Sequence, residues 1–482
     1  MSTSYLLPAA PELILLFSGL ALLLLGAFRD TAAGAREVSL LALVSLGVAF
    51  LAAVIVTPEG SIPSFGDNFV LDPFAGFMKG VVFLGAIGTL LIAQPYLRQE
   101  RLERFEYALL VLFSTAGMGL LLSANSFLAL YIALELMSLP LYVLAAFQRD
   151  TFKSTEAGLK YFVLGALASG MLLYGISLVY GFTGTIDFTT LQGLYVTGET
   201  QLPIGALVGL VFIAAGLAFK LGAVPFHMWT PDVYEGAPTA VTAFFAAAPK
   251  IAAMGLTVRV FAEPFGALVD DWQQIVVAVS IGSMALGAFG AIGQTNIKRL
   301  MAYSGIGHVG YALVGLAAGT ERGVFGVLVY MTLYLFMTVG TFAVIMTLRR
   351  RGQELDRVQD FAGLSKDQPL LALAGAIFMF SLAGIPPLAG FFGKLYVFLA
   401  AVDAGLLALA VFGVLTSVVG AFYYLRIVKL MYFDAPPEPL DKGIDPELKV
   451  VLVVTTAVTA FFIVFPGPIL GTAGAAARAL FP

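Results

Sequence analysis

Four ionisable residues stand deep inside long apolar runs. Glu135 lies in FLALYIALELMSLPLY, and Lys220, Lys250 and Lys394 are similarly surrounded by hydrophobic sequence. A Lys or Asp at the centre of a membrane helix costs roughly 2.5–3.5 kcal/mol on insertion scales. One such residue could be an accident; four at similar depth describe a polar axis. The chemistry open to them is proton transfer. Burial lowers a lysine's pKa from about 10.4, and a carboxylate within about 4–6 Å raises it again. A buried Lys whose acidic partner approaches or retreats is therefore a switchable proton site, and Glu135 with Lys220 is the pair expected to work this way. The competing reading for each of the four is a structural ion pair that fixes helix packing.

Other polar residues extend the same axis. Lys160 lies near one end of an apolar run, a place open both to snorkelling toward the interface and to continuing a relay. His227 adjoins Pro225 and can donate and accept a proton, as can His308 in GIGHVGY; for both, a plain hydrogen-bonding role is the alternative. Lys79 reads as a snorkelling or packing residue. Asp232 and Glu235, in TPDVYEGAP, read as loop caps, with a contact to a partner subunit as the alternative. The chain has no cysteine and two histidines, which excludes disulfides, thiolate metal sites, iron–sulfur clusters held by Cys and a cysteine nucleophile. Haem ligation by His227 and His308 is disfavoured because no second pair exists and neither lies in a haem-binding pattern. Metal ligation has no supporting cluster, so no cofactor is expected on this chain.

The elements that must position these residues follow from composition. Of 482 residues, 60% are hydrophobic and 12% are charged, against about 25% charged in an ordinary soluble protein. Mean hydropathy is +0.95. So little charge cannot cover a soluble body of this size, and the apolar segments have helical length, which predicts an all-α polytopic membrane protein. Fourteen spans are expected, near 9–28, 38–57, 71–95, 106–123, 126–147, 157–181, 203–229, 239–262, 270–293, 300–319, 322–348, 370–402, 406–431 and 449–470. The N-terminus lacks the basic n-region and cleavage site of a signal peptide, so the first segment reads as a retained span. Of the 26 Lys and Arg, five lysines (Lys79, Lys160, Lys220, Lys250 and Lys394) belong to the spans. Eighteen belong to the odd-numbered loops and the span ends beside them and three, Arg259, Arg322 and Arg478, to the even-numbered loops, the span ends beside them or the tail. A miscounted helix near the middle would scramble that parity, so both termini are expected on the outer side of the membrane. The net charge of −4 suggests no nucleic-acid partner.

Two spans are abnormal. The seventh contains Pro225, and the twelfth is cut by Gly384-Ile385-Pro386-Pro387. Proline lacks the N–H and clashes with the carbonyl four residues back, so both spans are expected to be broken. Broken helices at matching places of two inverted halves mark the ion pathway in many transporters. The expected units are N-terminal helices 1–3 (1–105), a first repeat of helices 4–8 (106–262), a second, inverted repeat of helices 9–13 (270–431), and a final helix with its tail (449–482). The symmetry is imperfect, since Lys220 and Lys394 both lie on the outer side of their breaks.

AFKLGAVPFHMWTPDVYEGAP (218–238), FFAAAPKIAA (244–253), NIKRLMAYSGIGHVGYALVG (296–315) and SLAGIPPLAGFFGKLYVF (381–398) resemble the antiporter-like membrane subunits of respiratory complex I, the bacterial NADH–quinone oxidoreductase. The form HMWTPDVYEGAP and the lysine at 394 are nearest the subunit N branch. The resemblance covers nearly the whole chain. It implies that Glu135 modulates Lys220, that Lys250 is the central lysine and Lys394 the lysine of the broken twelfth helix, and that Lys160 and His227 are accessory. It further implies proton translocation in a bacterial inner membrane, coupled to quinone reduction elsewhere. NADH, flavin, iron–sulfur clusters and quinone would belong to other subunits. The implied partners are the antiporter-like subunit M, small membrane subunits and the lipid bilayer. The alternatives are an Mrp-type cation/proton antiporter subunit, a membrane cytochrome and a structural scaffold.

Overall fold

In hydrocarbon every backbone N–H and C=O must find a partner within its own segment, so apolar runs of this length become helices. The computed structural model describes residues 6–29, 31–195, 202–435 and 438–481; of the long connection 182–202, residues 196–201 lie outside the described ones. The chain opens with α1 (Ala10–Phe28) and α2 (Ala32–Val56), then a small hairpin of β1 (Ile62–Ser64) and β2 (Phe69–Leu71). There follow α3 (Pro73–Gln99), α4 (Phe105–Leu122), α5 (Phe127–Ala145), α6 (Phe152–Thr183), the short α7 (Phe188–Tyr195) and α8 (Ile204–Leu221). The middle of the chain gives α9 (Trp229–Gly236), α10 (Thr239–Ala246), α11 (Ala248–Ala262), α12 (Val269–Ile292), α13 (Ile297–Ala317) and α14 (Glu321–Thr347). A second hairpin, β3 (Arg349–Arg350) with β4 (Gln353–Glu354), leads to α15 (Leu364–Asp367), α16 (Pro369–Ala383), α17 (Ala389–Asp403), α18 (Leu407–Phe433), α19 (Pro446–Phe461) and α20 (Gly467–Arg478).

Helix starts are legible in the caps. Thr31, Asp72, Ser126, Asn296 and Thr320 each accept a hydrogen bond from the N–H three residues on, satisfying one of the donors that the first turn leaves free. Twelve helical stretches among the described residues are long and apolar enough to cross a membrane. The other two expected spans are interrupted. The twelfth is split into α16 and α17. The fourteenth, expected to run to 470, ends as α19 at Phe461, because Pro466 and Pro468 cannot continue the ladder and a separate α20 begins there.

Both anticipated breaks end in the same way. Gly222 (φ 69°) and Gly384 (φ 88°) close α8 and α16 in the left-handed region that favours glycine. Ala223 N–H donates to the Ala218 carbonyl and Ile385 N–H to the Phe380 carbonyl, the wrap-back of a Schellman terminus. A third break was not expected. The eighth span is cut at Ala247, between α10 and α11, where Pro249 removes a donor and restricts the residue before it.

Burial grades outward from the middle. The stretch Thr239–Ala262 is buried throughout its apolar window, and Ile297–Ala317 and Glu321–Thr347 to 94%, against 33% for α1 and α2. The core helices α10, α11, α13 and α14 are thus the ones that can hold charge away from lipid, while α2 presents Leu40, Val44, Leu51 and Ile55 outward. In the first repeat α4 packs on α5 and α6 on α8; in the second α12 packs on α13 and α14 on α16 and α17.

Candidate functional site

Helix α5 places Glu135, Ser138 and Tyr142 on one stripe, three and seven residues apart. Ser169 of α6 donates its hydroxyl to Glu135 Oε1. Lys220, in the last turn of α8, donates from Nζ to Ser138 Oγ at 2.8 Å and to Tyr142 OH at 3.1 Å. The anticipated Glu135–Lys220 pair is therefore not in direct contact: the lysine is held by hydroxyls one and two turns along the stripe that begins with the carboxylate. From Tyr142 a run of aromatic contacts leads inward. Tyr142 meets Tyr161 at 4.8 Å between centroids, Tyr161 stacks on Trp229 at 4.4 Å, and Trp229 meets Tyr234 at 6.4 Å.

Tyr234 brings that run to Lys250, whose Nζ stands 5.4 Å from the Tyr234 ring centroid. Lys250 sits in the first turn of α11, just past the unexpected break, and is buried. Among the described residues its Nζ has no hydrogen-bond partner, nor has the Tyr234 hydroxyl or Thr338 Oγ1. Buried polar atoms left unpaired by protein are the kind that ordered water satisfies. Glycine at 305 makes the room: a Cβ there would stand 2.7 Å from Lys250 Nζ and 3.3 Å from Tyr334 OH.

His308 lies one turn beyond Gly305 on α13. Its Nδ1 is 2.6 Å from Tyr330 OH and its Nε2 3.0 Å from Tyr424 OH, which also bonds Ser304. The ring lies 5.2 Å from that of Tyr334 and 6.0 Å from that of Tyr311. Lys394 Nζ is 4.8 Å from the Tyr311 centroid, so His308 stands between the two lysines in a sleeve of tyrosines. Lys394 itself donates to the carbonyls of Leu382 (3.0 Å) and Ala383 (2.9 Å) and to Ser417 Oγ (2.8 Å). It reaches back across the break to cap α16, where the helix dipole is negative.

Lys160 is not on this buried line. It is 40% exposed and pairs with Glu156 at 2.8 Å and Asp232 at 2.7 Å. Asp232 also binds Arg299 at 2.7 Å, and Glu235 binds Arg299 at 3.3 Å and Lys153 at 3.5 Å. Asp232 and Glu235 are thus ion-pair partners rather than loop caps. Partial burial opposes ionisation of Asp232, but hydrogen bonds from Lys160 and Arg299 outweigh it and hold the carboxyl below its ordinary value. His227 occupies the turn between α8 and α9; its Nδ1 is buried without a partner among the described residues.

Two buried charge clusters escaped the sequence reading. Lys79 does not snorkel: it is fully buried and pairs with Glu12 of α1 at 2.7 Å, itself fully buried. Arg259, assigned above to a loop, lies in α11, fully buried, with Asp72 bound at 2.9 Å through both carboxylate oxygens and Glu263 at 2.6 Å. The available signal was Glu12 and Asp72, acidic residues inside or beside apolar runs. Among the described residues no group of three or more His, Cys, Asp or Glu could hold a metal ion.

Residues 124–420 match the family described as NADH:quinone oxidoreductase/Mrp antiporter, transmembrane. NADH-quinone oxidoreductase subunit N of Rhodospirillum rubrum is 58% identical across 98% of this chain and 97% of its own length. That of Parvibaculum lavamentivorans is 55% identical across 99% and 98%. Among solved structures, a chain of respiratory complex I from Thermus thermophilus with bound aureothin superposes at a TM-score of 0.82 with 33% identity, covering 96% of this chain and 99% of that one. A chain of the Mrp complex from Dietzia sp. DQ12-45-1b superposes at 0.89 with 25% identity, covering 100% and 98%. Sequence, fold and polar core together make this chain a member of the NADH:quinone oxidoreductase/Mrp antiporter transmembrane family, in its subunit N group.

Proposed function

We propose that the chain moves protons through the membrane arm of a bacterial NADH–quinone oxidoreductase along Glu135, Lys220, Lys250, His308 and Lys394. The observation that carries this reading is the run of buried groups from Ser138 to Lys394, aromatic contacts from Tyr142 to Tyr234 and polar groups on either side, with Lys250 unpaired at its centre. Lys220 releases its proton toward Lys250, and Glu135 sets Lys220's affinity through the α5 stripe rather than by touching it. His308, with the Tyr330 and Tyr424 hydroxyls, links Lys250 to Lys394, which passes the proton outward. Lys160 and His227 are accessory, Lys160 as part of the charge cluster at the cation-rich face. The first repeat, 106–262, supplies two interrupted helices and the second, 270–431, one.

Moving one charge against 100 mV costs about 2.3 kcal/mol, so the relay is driven and gated; an open wire would dissipate the gradient. Oxidation of NADH, flavin and iron–sulfur chemistry and quinone reduction belong to other subunits, and the drive arrives through neighbours, the antiporter-like subunit M and small membrane subunits among them. The chain sits in the inner membrane with both termini on the outer side. The higher identity to subunit N than to the Mrp chain favours this over cation antiport. Lys220→Ala and Glu135→Ala in the whole complex test the reading. Both are expected to assemble, with NADH-driven proton pumping and coupled quinone reduction impaired. Normal pumping by both would refute it.

A further inference from the structure

In the relay Lys250 receives its proton from Lys220, while a second buried lysine, nearer the cation-rich face and on the same helix as Gly305, takes no part. That residue is Lys298, in the first turn of α13 and 8% exposed. We propose, building on the relay reading, that Lys298 delivers protons from that face to Lys250.

Lys298 and Gly305 are seven residues apart on α13, two turns along one stripe and about 10 Å in rise. The far end of the stripe is the glycine whose missing side chain accommodates Lys250 Nζ. At the near end Lys298 Nζ donates to the Ala237 carbonyl at 2.9 Å, three residues from Tyr234. Tyr234 has its ring 5.4 Å from Lys250 Nζ, and its hydroxyl is buried without a partner among the described residues. Two carboxylates belong to segments that adjoin the outer lysine: Glu354, which binds Thr239 two residues past Ala237, and Asp356, whose carbonyl accepts from Ile297 N–H at 2.7 Å. Glu354 is partly exposed on β4. Its carboxylate is tied inward, accepting from Tyr96 OH at 3.0 Å and from Thr239 Oγ1. Asp356 is fixed at the start of α13, its side chain accepting from Asn296 Nδ2 at 2.8 Å.

A hydronium drawn to this face by the Glu354 and Asp356 carboxylates gives a proton to the neutral Lys298 amine and becomes water. The Lys298 ammonium gives a proton to water hydrogen-bonded at Tyr234 OH, and that water gives one to the neutral Lys250 amine. Lys298 is then ready for the next proton.

The bond to Ala237 also makes Lys298 an anchor for the α9–α10 connection, so the test must separate anchoring from transfer. Lys298→Arg keeps the charge and a donor for Ala237, yet a guanidinium is not deprotonated in proteins. Lys298→Met removes both. In the whole complex, reconstituted in vesicles and checked for assembly on native gels, both variants are expected to lose proton flux by about tenfold. Glu354→Gln is expected to slow it less, since Asp356 remains. Normal flux in Lys298→Arg overturns the proposal, whatever Lys298→Met does, because only the anchor then matters. Lys250→Ala, run in parallel, separates the two readings: if it stops pumping while both Lys298 variants pump, the supply route alone falls. If it also pumps normally, the relay falls and the route with it.

Discussion

Gly305→Ala separates the position of Lys250 from the stability of the fold. The added Cβ would stand 2.7 Å from Lys250 Nζ and 3.3 Å from Tyr334 OH, whereas such atoms rest at about 3.5 Å or more. The ammonium must therefore retreat by about 1 Å. Because it is the end of a flexible side chain, it can do so by leaving its rotamer minimum, at about 0.5–1.5 kcal/mol. Replacing a mid-helix glycine with alanine returns about 0.5–1 kcal/mol. The two nearly cancel, so assembly and thermal unfolding should stay close to those of the parent. Proton transfer should not, since a 1 Å misplacement at a reacting group costs up to about a hundredfold. The assay is NADH-driven acidification of inverted vesicles, beside native gels and a melting curve. The expected outcome is pumping reduced by on the order of tenfold to a hundredfold at unchanged melting temperature. Pumping at the parental rate would refute the claim that Lys250 must occupy the site opposite Gly305.

Lys394→Ala should destabilise as well as stop transfer, because the Leu382 carbonyl loses its charged donor, at about 1–3 kcal/mol if left unpaired, while Ala383 keeps Ser417; an unchanged melting temperature would mean that α16 ends without its help. The double variant Ser138→Ala with Tyr142→Phe removes the hydroxyl grip on Lys220 and should let the lysine move toward Glu135. Slower pumping with intact assembly is expected, and unchanged pumping would show the grip to be idle. Lys79→Met leaves Glu12 buried and unpaired, at about 3–5 kcal/mol. It should reduce assembled complex, and adding Glu12→Gln should restore most of it; failure of that rescue would show that the pair is not what holds α1 to α3.

Residues dear to insert and marked by a helix breaker were visible in the sequence. Lys220 and Lys394 announced themselves by lying beside Pro225 and Pro386, and the structure puts a helix end at each. Lys250 was visible by depth alone, while the break just before it was missed: Pro249 stands so near the start of α11 that it reads equally as an ordinary first-turn proline. Contacts between distant segments were out of reach. The Glu135–Lys220 pairing was inferred from charge, yet hydrogen bonding to Ser138 and Tyr142 wins locally, and nothing in a linear sequence gives the stripe of α5 that faces α8. The pairing of Lys160, open in sequence to snorkelling or relay, was out of reach for the same reason: its partner Asp232 is 72 residues away, and only the packing of α6 against α9 joins them.

The sequence-level asymmetry, with Lys220 and Lys394 on the same side of breaks that inversion should place oppositely, has a physical resolution. Inverted repeats preserve chain order within each half, so the matching features are the ends of α8 and α16, both closed by a left-handed glycine with the same wrap-back bonds. At each end stands a lysine, where the unsatisfied carbonyls and the dipole favour a cation. In α8 the lysine belongs to the last turn itself, while the indole of Trp229 takes the Phe219 carbonyl. In α16 no lysine lies in the last turn, and Lys394 reaches back from α17 to the Leu382 and Ala383 carbonyls. What the two ends share is a glycine-closed terminus with a lysine next to the break, in the last turn of α8 before the first break and on α17 after the second. The difference gives the two lysines different freedom. Lys394 is tied to backbone that cannot move without unwinding α16, whereas Lys220 is tied to two side-chain hydroxyls that can rotate. In the proposed relay, a switch driven from Glu135 would therefore belong at Lys220, with Lys394 as the fixed end of the line.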